Sequence, residues 1–309
     1  MGYDGGVTID AAVSERIEIR SLVILANPAA GSFRASVIDE IEARLRVRGV
    51  DVETILTRSQ GDIRRIAETT WHSCDAIAVC GGDGTIGEAV AGLHAREGAK
   101  PALIAIPGGT ANVLAHELGL PRKADEIADM IAAGRTRPLH YGLANGRAFF
   151  LMVSAGLDAA AVHKVSPELK RRTGKFAFIV AAFAALRDAR TPDVVVESDR
   201  GTMSARIAIV ANAACYGGPH LIARETATDR PGLSLVLAKR DDFASLLRIG
   251  WSMLFHTKDA GPLIAETPIL KARLTAGRPV PVQVDGDAFG TTPVAIEAVA
   301  EPLRIVVAR

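Results

Sequence analysis

Cysteine is scarce: Cys74, Cys80 and Cys215 fit neither a disulfide framework nor a zinc-ligand spacing. They read as reduced, mostly buried thiols, which points to a cytoplasmic protein. An excess of either charge is also missing. With 36 basic and 35 acidic residues the net charge is +1, so no global field would hold nucleic acid. No apolar run reaches the roughly 20 residues that a membrane-spanning helix needs. The longest, residues 176–186 (FAFIVAAFAAL), stops well short, and no transmembrane segment is expected. The opening MGYDGGVTIDAAVSER lacks a basic stretch followed by an apolar one, so residues 1–16 read as a disordered lead-in rather than a leader. Gly6 occupies the place where a myristoylation motif requires Ser or Thr. Repeats and low-complexity stretches are absent.

What is present suits two domains of about 150 residues each. The 49% hydrophobic fraction supplies ordinary globular cores. From residue 17 to 120, buried-strand runs at 22–26, 50–56, 76–80 and 102–106 alternate with helical spacings. Val37, Ile38, Ile41 and Leu45 mark one helix, stopped at Gly49; Ile63, Ile66 and Ala67 mark a second; Ala89, Val90 and Leu93 mark a third. This βαβ series predicts an α/β nucleotide domain with a parallel sheet and a ligand beyond the strands' carboxyl ends. After about residue 140, strand-like runs at 148–153, 194–197, 207–211, 233–237, 280–284 and 303–307 predict a β-rich second domain. Two helices interrupt it, near 173–189 and 242–256. The expected division is therefore 17–140 with a carboxyl-terminal return at 297–309, and a β-sandwich domain over 141–296. Open edges in such a domain would suit a homodimer.

Three glycine-bearing loops follow the buried strands and converge on one sheet edge. Gly81-Gly82-Asp83-Gly84-Thr85 leads into a helix whose first N–H groups favour anions. A carboxylate in a phosphate loop repels phosphate unless a magnesium ion or a proton intervenes. Asp83 is thus either part of metal-assisted phosphate chemistry or a cap in a tight strand-to-helix turn. Pro107-Gly108-Gly109-Thr110-Ala111-Asn112 and Asn27-Pro28-Ala29-Ala30-Gly31 carry the same two readings. Three such loops in one sheet favour a nucleotide.

The stretches NPAAG (27–31), GGDGTIGEAVAGL (81–93), PGGTANVLAHELGLP (107–121), SAGLDA (154–159), ANAACYGG (211–218) and VDGD (284–287) resemble the diacylglycerol kinase catalytic-domain family of lipid kinases. That family includes bacterial diacylglycerol kinases and the sphingosine and ceramide kinases. The resemblance runs from about residue 21 to the carboxyl terminus. GGDGT alone is shared with NAD kinases; followed by GTAN, it is specific to the lipid kinases. The resemblance implies ATP and magnesium between an α/β domain and a β-sandwich domain. It implies that Asn27, Pro28, Ala29, Ala30, Gly31, Thr57, Gly81, Gly82, Asp83, Gly84, Thr85, Ile86, Gly87 and Thr110 hold ATP. Asp83 would work at the phosphates, with magnesium, and Asp287 would be the general base that deprotonates the lipid hydroxyl. The family usually has Glu at that place, one methylene longer. Many bacterial members also carry a magnesium-binding Asp where this chain has Pro231, so no structural magnesium is expected there; Asp229 lies two residues earlier.

Diacylglycerol is the first expected acceptor and ceramide or a sphingoid base the second. A kinase of the NAD kinase type and a non-catalytic lipid- or nucleotide-binding protein are the competing readings. A membrane lipid must be met at the bilayer surface. Lys170, Arg171, Arg172 and Lys175, just before the run 176–186, suit reversible peripheral attachment to anionic lipid, or else form a solvated charge run ahead of a core helix. Trp251 and Phe255, four apart on the second expected helix, read as core. Arg224 and Glu225, after Tyr216-Gly217-Gly218, are either cleft contacts or exposed loop charges. His116, His163 and His220 have no ligand partners at metal spacing and read as structural.

Overall fold

The apolar runs of the first half become the centre of a parallel sheet. The computed structural model describes residues 15–28, 33–69, 74–164, 192–240, 242–255 and 263–308. Its elements begin β1 (Glu15–Arg16), β2 (Ser21–Ala26), α1 (Ala35–Val47), β3 (Asp51–Leu56), α2 (Asp62–Thr69), β4 (Ala76–Gly81), α3 (Asp83–Ala95), β5 (Ala102–Pro107), α4 (Val113–Glu117), α5 (Ala124–Ala133) and β6 (Arg135–Leu139). The second half adds β7 (Gly142–Ala144), β8 (Arg147–Phe149), β9 (Met152–Gly156), α6 (Leu157–Lys164), β10 (Val194–Ser198), β11 (Gly201–Ala205), β12 (Ile207–Ala211), β13 (Cys215–Tyr216) and β14 (His220–Leu221). It continues with β15 (Leu233–Ala238), α7 (Phe243–Phe255), β16 (Ile264–Ile269), β17 (Lys271–Ala276), β18 (Pro281–Val284), β19 (Asp287–Thr291), β20 (Val294–Ala298) and β21 (Leu303–Val306).

Seven strands form the first sheet in the order β1-β6-β21-β5-β4-β2-β3. Strands β2, β3, β4, β5 and β21 are mutually parallel, and β6 and β1 add antiparallel at one edge. Every residue of β4 is buried, as expected of a strand covered by helices on both faces. Ile38, Ile41 and Leu45 form the buried stripe of α1, and Gly49 follows it in the left-handed region at φ 81°. The last strand, β21, returns to this sheet between β6 and β5.

The remaining strands form two six-stranded antiparallel sheets, β11-β10-β17-β20-β7-β8 and β16-β15-β12-β9-β18-β19. Their facing side chains, among them Val153, Val196, Val210, Leu235, Leu274 and Val282, make a second apolar core. This is the β-sandwich anticipated from the short strand runs.

Three details differ from the sequence-based expectation. Glu15 and Arg16 are not lead-in: they pair with Thr136 and Arg135, an edge pairing made by backbone that exposed side chains do not announce. The run at 148–153 is two strands, because the amides of Phe150, Leu151 and Met152 all turn to the carboxylate of Asp285 instead of to a neighbouring strand. Trp251 is not core: it is 59% exposed, while Ser245, Ile249 and Ser252 form the buried face of α7. The basic cluster Lys170, Arg171, Arg172 and Lys175, the apolar run 176–186 and the helix expected near 173–189 lie outside the described residues. Among the described residues no helix is long and apolar enough to cross a membrane.

Candidate active site

Parallel register brings the carboxyl ends of β2, β3, β4 and β5 to one edge. There the backbone is stitched laterally: Thr57 N donates to Ala26 O (2.9 Å), Asn27 N to Cys80 O (3.2 Å) and Gly108 N to Gly81 O (2.8 Å). Asn27, Thr57, Gly81 and Gly108 therefore stand side by side, as the sheet predicts. The Thr57 hydroxyl also donates to Ala26 O at 3.3 Å. Of the NPAAG loop, Asn27 and Pro28 are described; Ala29, Ala30 and Gly31 lie outside the described residues.

The glycines of the next two loops have distinct jobs. A Cβ on Gly109 would come within 2.4 Å of Gly82 Cα, and one on Gly108 within 3.1 Å of Gly81 N. These glycines let two loops pack backbone on backbone. Gly84, in the first turn of α3, is different: it is exposed, and a Cβ there would meet no atom of the described residues within 4 Å. No side chain caps the amino end of α3. The open, positive end of a 13-residue helix is the physical requirement for holding phosphate.

Asp83 does not cap its own helix. Its carboxylate accepts Val113 N at 3.0 Å and Leu114 N at 3.3 Å, so it caps α4 across the groove. Burial pushes its carboxyl above the ordinary range, against the pull of those amides. Asn112, left-handed at φ 45°, closes the second loop by exchanging hydrogen bonds with Gly109, Gly109 N to Oδ1 at 2.8 Å and Nδ2 to Gly109 O at 2.7 Å. Thr110 is exposed between them. The side chain of Ile86 is 2% exposed and packs in the core, so only its backbone can face a nucleotide, a correction to its place among the ATP contacts.

The VDGD turn abuts the same helix. A methyl at Gly87 of α3 would lie 3.5 Å from Phe150 Cε1 and 3.9 Å from Asp285 Oδ2. Asp285, at φ 51°, accepts Phe150 N (3.1 Å), Leu151 N (2.9 Å) and Met152 N (3.0 Å). Burial nevertheless raises its carboxyl to about 6. Asp287 opens β19 with its side chain 48% exposed and lies 3.3 Å from Arg147 Nη2. One carboxylate of the motif thus fixes the turn while the other is presented to solvent.

Other groups tie the two halves together. Glu117, the last residue of α4, accepts Cys215 N at 3.2 Å and Thr228 N at 2.7 Å, and burial raises its carboxyl. Tyr216 donates its hydroxyl to Asp158 at 2.9 Å; burial lifts both groups above their ordinary values. Ser154 also donates to Asp158, and Gln283 Nε2 donates to Ser154 Oγ at 2.9 Å. Asp158 and Tyr216 lay in recognisable motifs without an assigned role. Glu117, inside the stretch 107–121, likewise had no assigned role, and Gln283 gave no signal beyond being polar in apolar surroundings. Asp229 is 8% exposed and lies 3.5 Å from Arg137 Nη1, an ion pair rather than a free carboxylate. The amides of Arg224 and Glu225 donate to Glu266, which ties down the loop after Tyr216-Gly217-Gly218 while both side chains stay exposed.

An uncapped, glycine-led helix start with an acidic turn packed against the same helix is an arrangement suited to phosphoryl transfer. The family comparisons make this specific. Residues 21–144 match the model of the diacylglycerol kinase catalytic domain, and residues 151–307 match the YegS C-terminal NAD kinase beta sandwich-like domain. The chain belongs to the diacylglycerol kinase catalytic-domain family and is a lipid kinase, a family that uses ATP. It is 26% identical to a diacylglycerol kinase of Bacillus subtilis over 276 residues, 87% of this chain and 90% of that one. Two solved structures from Bacillus anthracis share the fold. One superposes with TM-score 0.80 at 23% identity over 95% of this chain and 97% of its own. The other, described as a diacylglycerol kinase, gives TM-score 0.71 at 20% identity over 94% and 98%.

Among the described residues no group of three or more His, Cys, Asp or Glu side chains could hold a metal ion. Each oxygen of Asp83 accepts one amide and keeps a further lone pair. Asp83 therefore fits a magnesium that arrives with the nucleotide and takes most of its ligands from phosphate and water.

Proposed function

We propose that this lipid kinase transfers the γ-phosphoryl group of ATP to the free hydroxyl of diacylglycerol. The observation that carries the reading is the packing of the VDGD turn against α3, the helix led by the GGDGT loop. Phosphate donor and acidic acceptor site thus share one rigid element, and phosphoryl transfer depends chiefly on such positioning. The amino end of α3 and the backbone of Gly82 to Thr85 hold the phosphates, with Asn27, Thr57 and Thr110 at the rim. Asp287 accepts the hydroxyl proton as the lipid oxygen bonds to the γ-phosphorus. The bond to the β–γ bridging oxygen breaks, and ADP leaves. Asp83 would hold magnesium arriving with the nucleotide, which would supply charge neutralisation at the phosphates. Asp285 keeps the turn in place through its three amide bonds.

Reaching a bilayer lipid requires reversible attachment to the membrane. Leu247 and Trp251 support this: they are 54% and 59% exposed, lie four apart on α7, and flank the exposed Arg248. Helix α7 packs beside β14, next to the Tyr216-Gly217-Gly218 loop. The basic cluster at 170–175 would add to the same attachment.

The acceptor is tested with labelled ATP, Mg²⁺ and detergent-dispersed diacylglycerol or ceramide in parallel reactions. Label in diacylglycerol is expected; label in ceramide alone would replace the acceptor, and label in neither would remove the reading.

A further inference from the structure

A relay of hydrogen bonds, joined by the backbone of α4 and by the Cys215–Tyr216 peptide, runs from the glycine loop at Asp83 to the VDGD turn. Asp83 caps α4 at Val113 and Leu114. The opposite end of α4 carries Glu117, which grips Cys215 N and Thr228 N in the other half of the molecule. Tyr216, the next residue, donates to Asp158, which also accepts from Ser154. Ser154 accepts from Gln283, and Gln283 Oε1 accepts Gly286 N at 2.8 Å in the middle of the VDGD turn. Ser154 is 0% exposed and Gln283 2% exposed.

We propose that Glu117, Tyr216, Asp158 and Gln283 are positioning residues that hold the VDGD turn in register with the nucleotide loop. None of them touches the reacting atoms. Such a network is costly to bury unless every member is satisfied, and each polar side chain here has a named partner. Its geometry suits the task. The helix α4 is one short rigid body with a carboxylate contact at each end. A displacement of the phosphate loop therefore moves Glu117, and with it the strand bearing Tyr216. The chain beyond Tyr216 ends on a backbone amide of the motif that presents Asp287. A purely structural role would be met by apolar packing of the same volume; a line from one loop to the other would not.

The inference rests on the proposed phosphoryl transfer for its consequence, but its physical content can be read without substrate. Hydrogen exchange of residues 284–288 is compared in the full chain, wild type against Glu117→Gln and Tyr216→Phe, with initial rates measured on the same preparations. Both substitutions keep side-chain volume, and retained protection of α3 shows that the variants are folded. Both variants are expected to exchange at 284–288 at least tenfold faster. They are expected to lose at least tenfold in kcat while KM for ATP stays within twofold. A double variant no worse than the worse single one is the signature of one shared line. Unchanged exchange at 284–288 in either variant would overturn the proposal, whatever the activity. If the turn loosens in both but even the wild type labels no lipid, the functional reading falls and the network stands.

Discussion

Gly84 separates two roles that glycine plays in this site. It lies in the first turn of α3, exposed, and a methyl there would meet no atom of the described residues within 4 Å. Replacing a helical glycine by alanine removes backbone entropy from the unfolded chain and stabilises the helix by roughly 0.5–1 kcal/mol. For a chain of this size that is about 1–3 °C in Tm. The same methyl would stand where the phosphates must approach the amino end of α3. A tenfold loss of ATP affinity, about 1.4 kcal/mol, is the least expected from it. Gly84→Ala should therefore raise the melting temperature and weaken ATP binding together. Differential scanning fluorimetry and calorimetric titration with Mg-ATP read both quantities. Gly109→Ala is the contrast: its methyl would lie 2.4 Å from Gly82 Cα and 2.9 Å from Asn112 Oδ1. It should cost about 1–3 kcal/mol of stability. A Gly84→Ala protein that binds ATP as tightly as wild type would refute the reasoning, because the phosphates would then lie elsewhere.

Asp83→Asn keeps the shape of the side chain but turns an amide NH₂ toward Val113 N or Leu114 N. One helix-start amide loses its acceptor, at about 1–3 kcal/mol by urea denaturation; an unchanged midpoint would contradict the capping role. Asp285 has its carboxyl raised to about 6 from an ordinary 3.8, so its charged form is disfavoured in the fold. Stability from this group is complete below about pH 4 and is lost as pH rises through about 6. Because the residue is partly exposed, the loss is on the order of 1–3 kcal/mol rather than more. Asp285→Asn lacks the titration, so the stability of wild type relative to the variant should fall between pH 4 and pH 7; a constant difference would exclude the burial argument. Trp251→Ala should weaken sedimentation with vesicles of phosphatidylglycerol and phosphatidylcholine severalfold. Equal sedimentation would remove α7 from membrane contact.

Much of the scaffold was legible because buried parallel strands are written as continuous apolar runs. Strands β2 to β5 fall within a residue of the runs that predicted them, and Gly49 stops α1 as its position implied. Of the strands with alternating exposure, β10 falls within a residue of its predicted run, while β17 and β20 were unread. Their outward faces carry Lys271, Arg273 and Glu297, and nothing local says that Leu274 and Ile296 face one core with Val194. Strands β16 and β19 carry many half-exposed residues and take their place from their neighbours in the sheet. Within the site, loop chemistry pointed to the sheet edge proposed to hold phosphate, and the resemblance at VDGD pointed to the turn proposed to meet the acceptor. The resemblance singled out Asp287 but not the turn-fixing role of Asp285, since that depends on three amides 133–135 residues away. Nor could it reveal that Asp83 caps α4, because a carboxylate in a glycine loop reads the same whether it faces phosphate or a neighbouring helix. The roles of Glu117 and Gln283 were unreadable for a related reason: their partners lie 98 and 129 residues away in the chain. Trp251 went the other way, since helical spacing marks an apolar face without saying what covers it.

The most direct measurement is the initial rate of phosphate transfer from labelled ATP to dispersed diacylglycerol, wild type beside Asp287→Asn. The substitution sits at a half-exposed side chain whose charged partner is Arg147, so the fold should survive it. Loss of the proton acceptor should lower the rate by 10²-fold or more, with Mg-ATP binding retained. A variant that labels diacylglycerol at the wild-type rate would contradict the assignment of Asp287 as the base and, with it, the catalytic geometry proposed for this site.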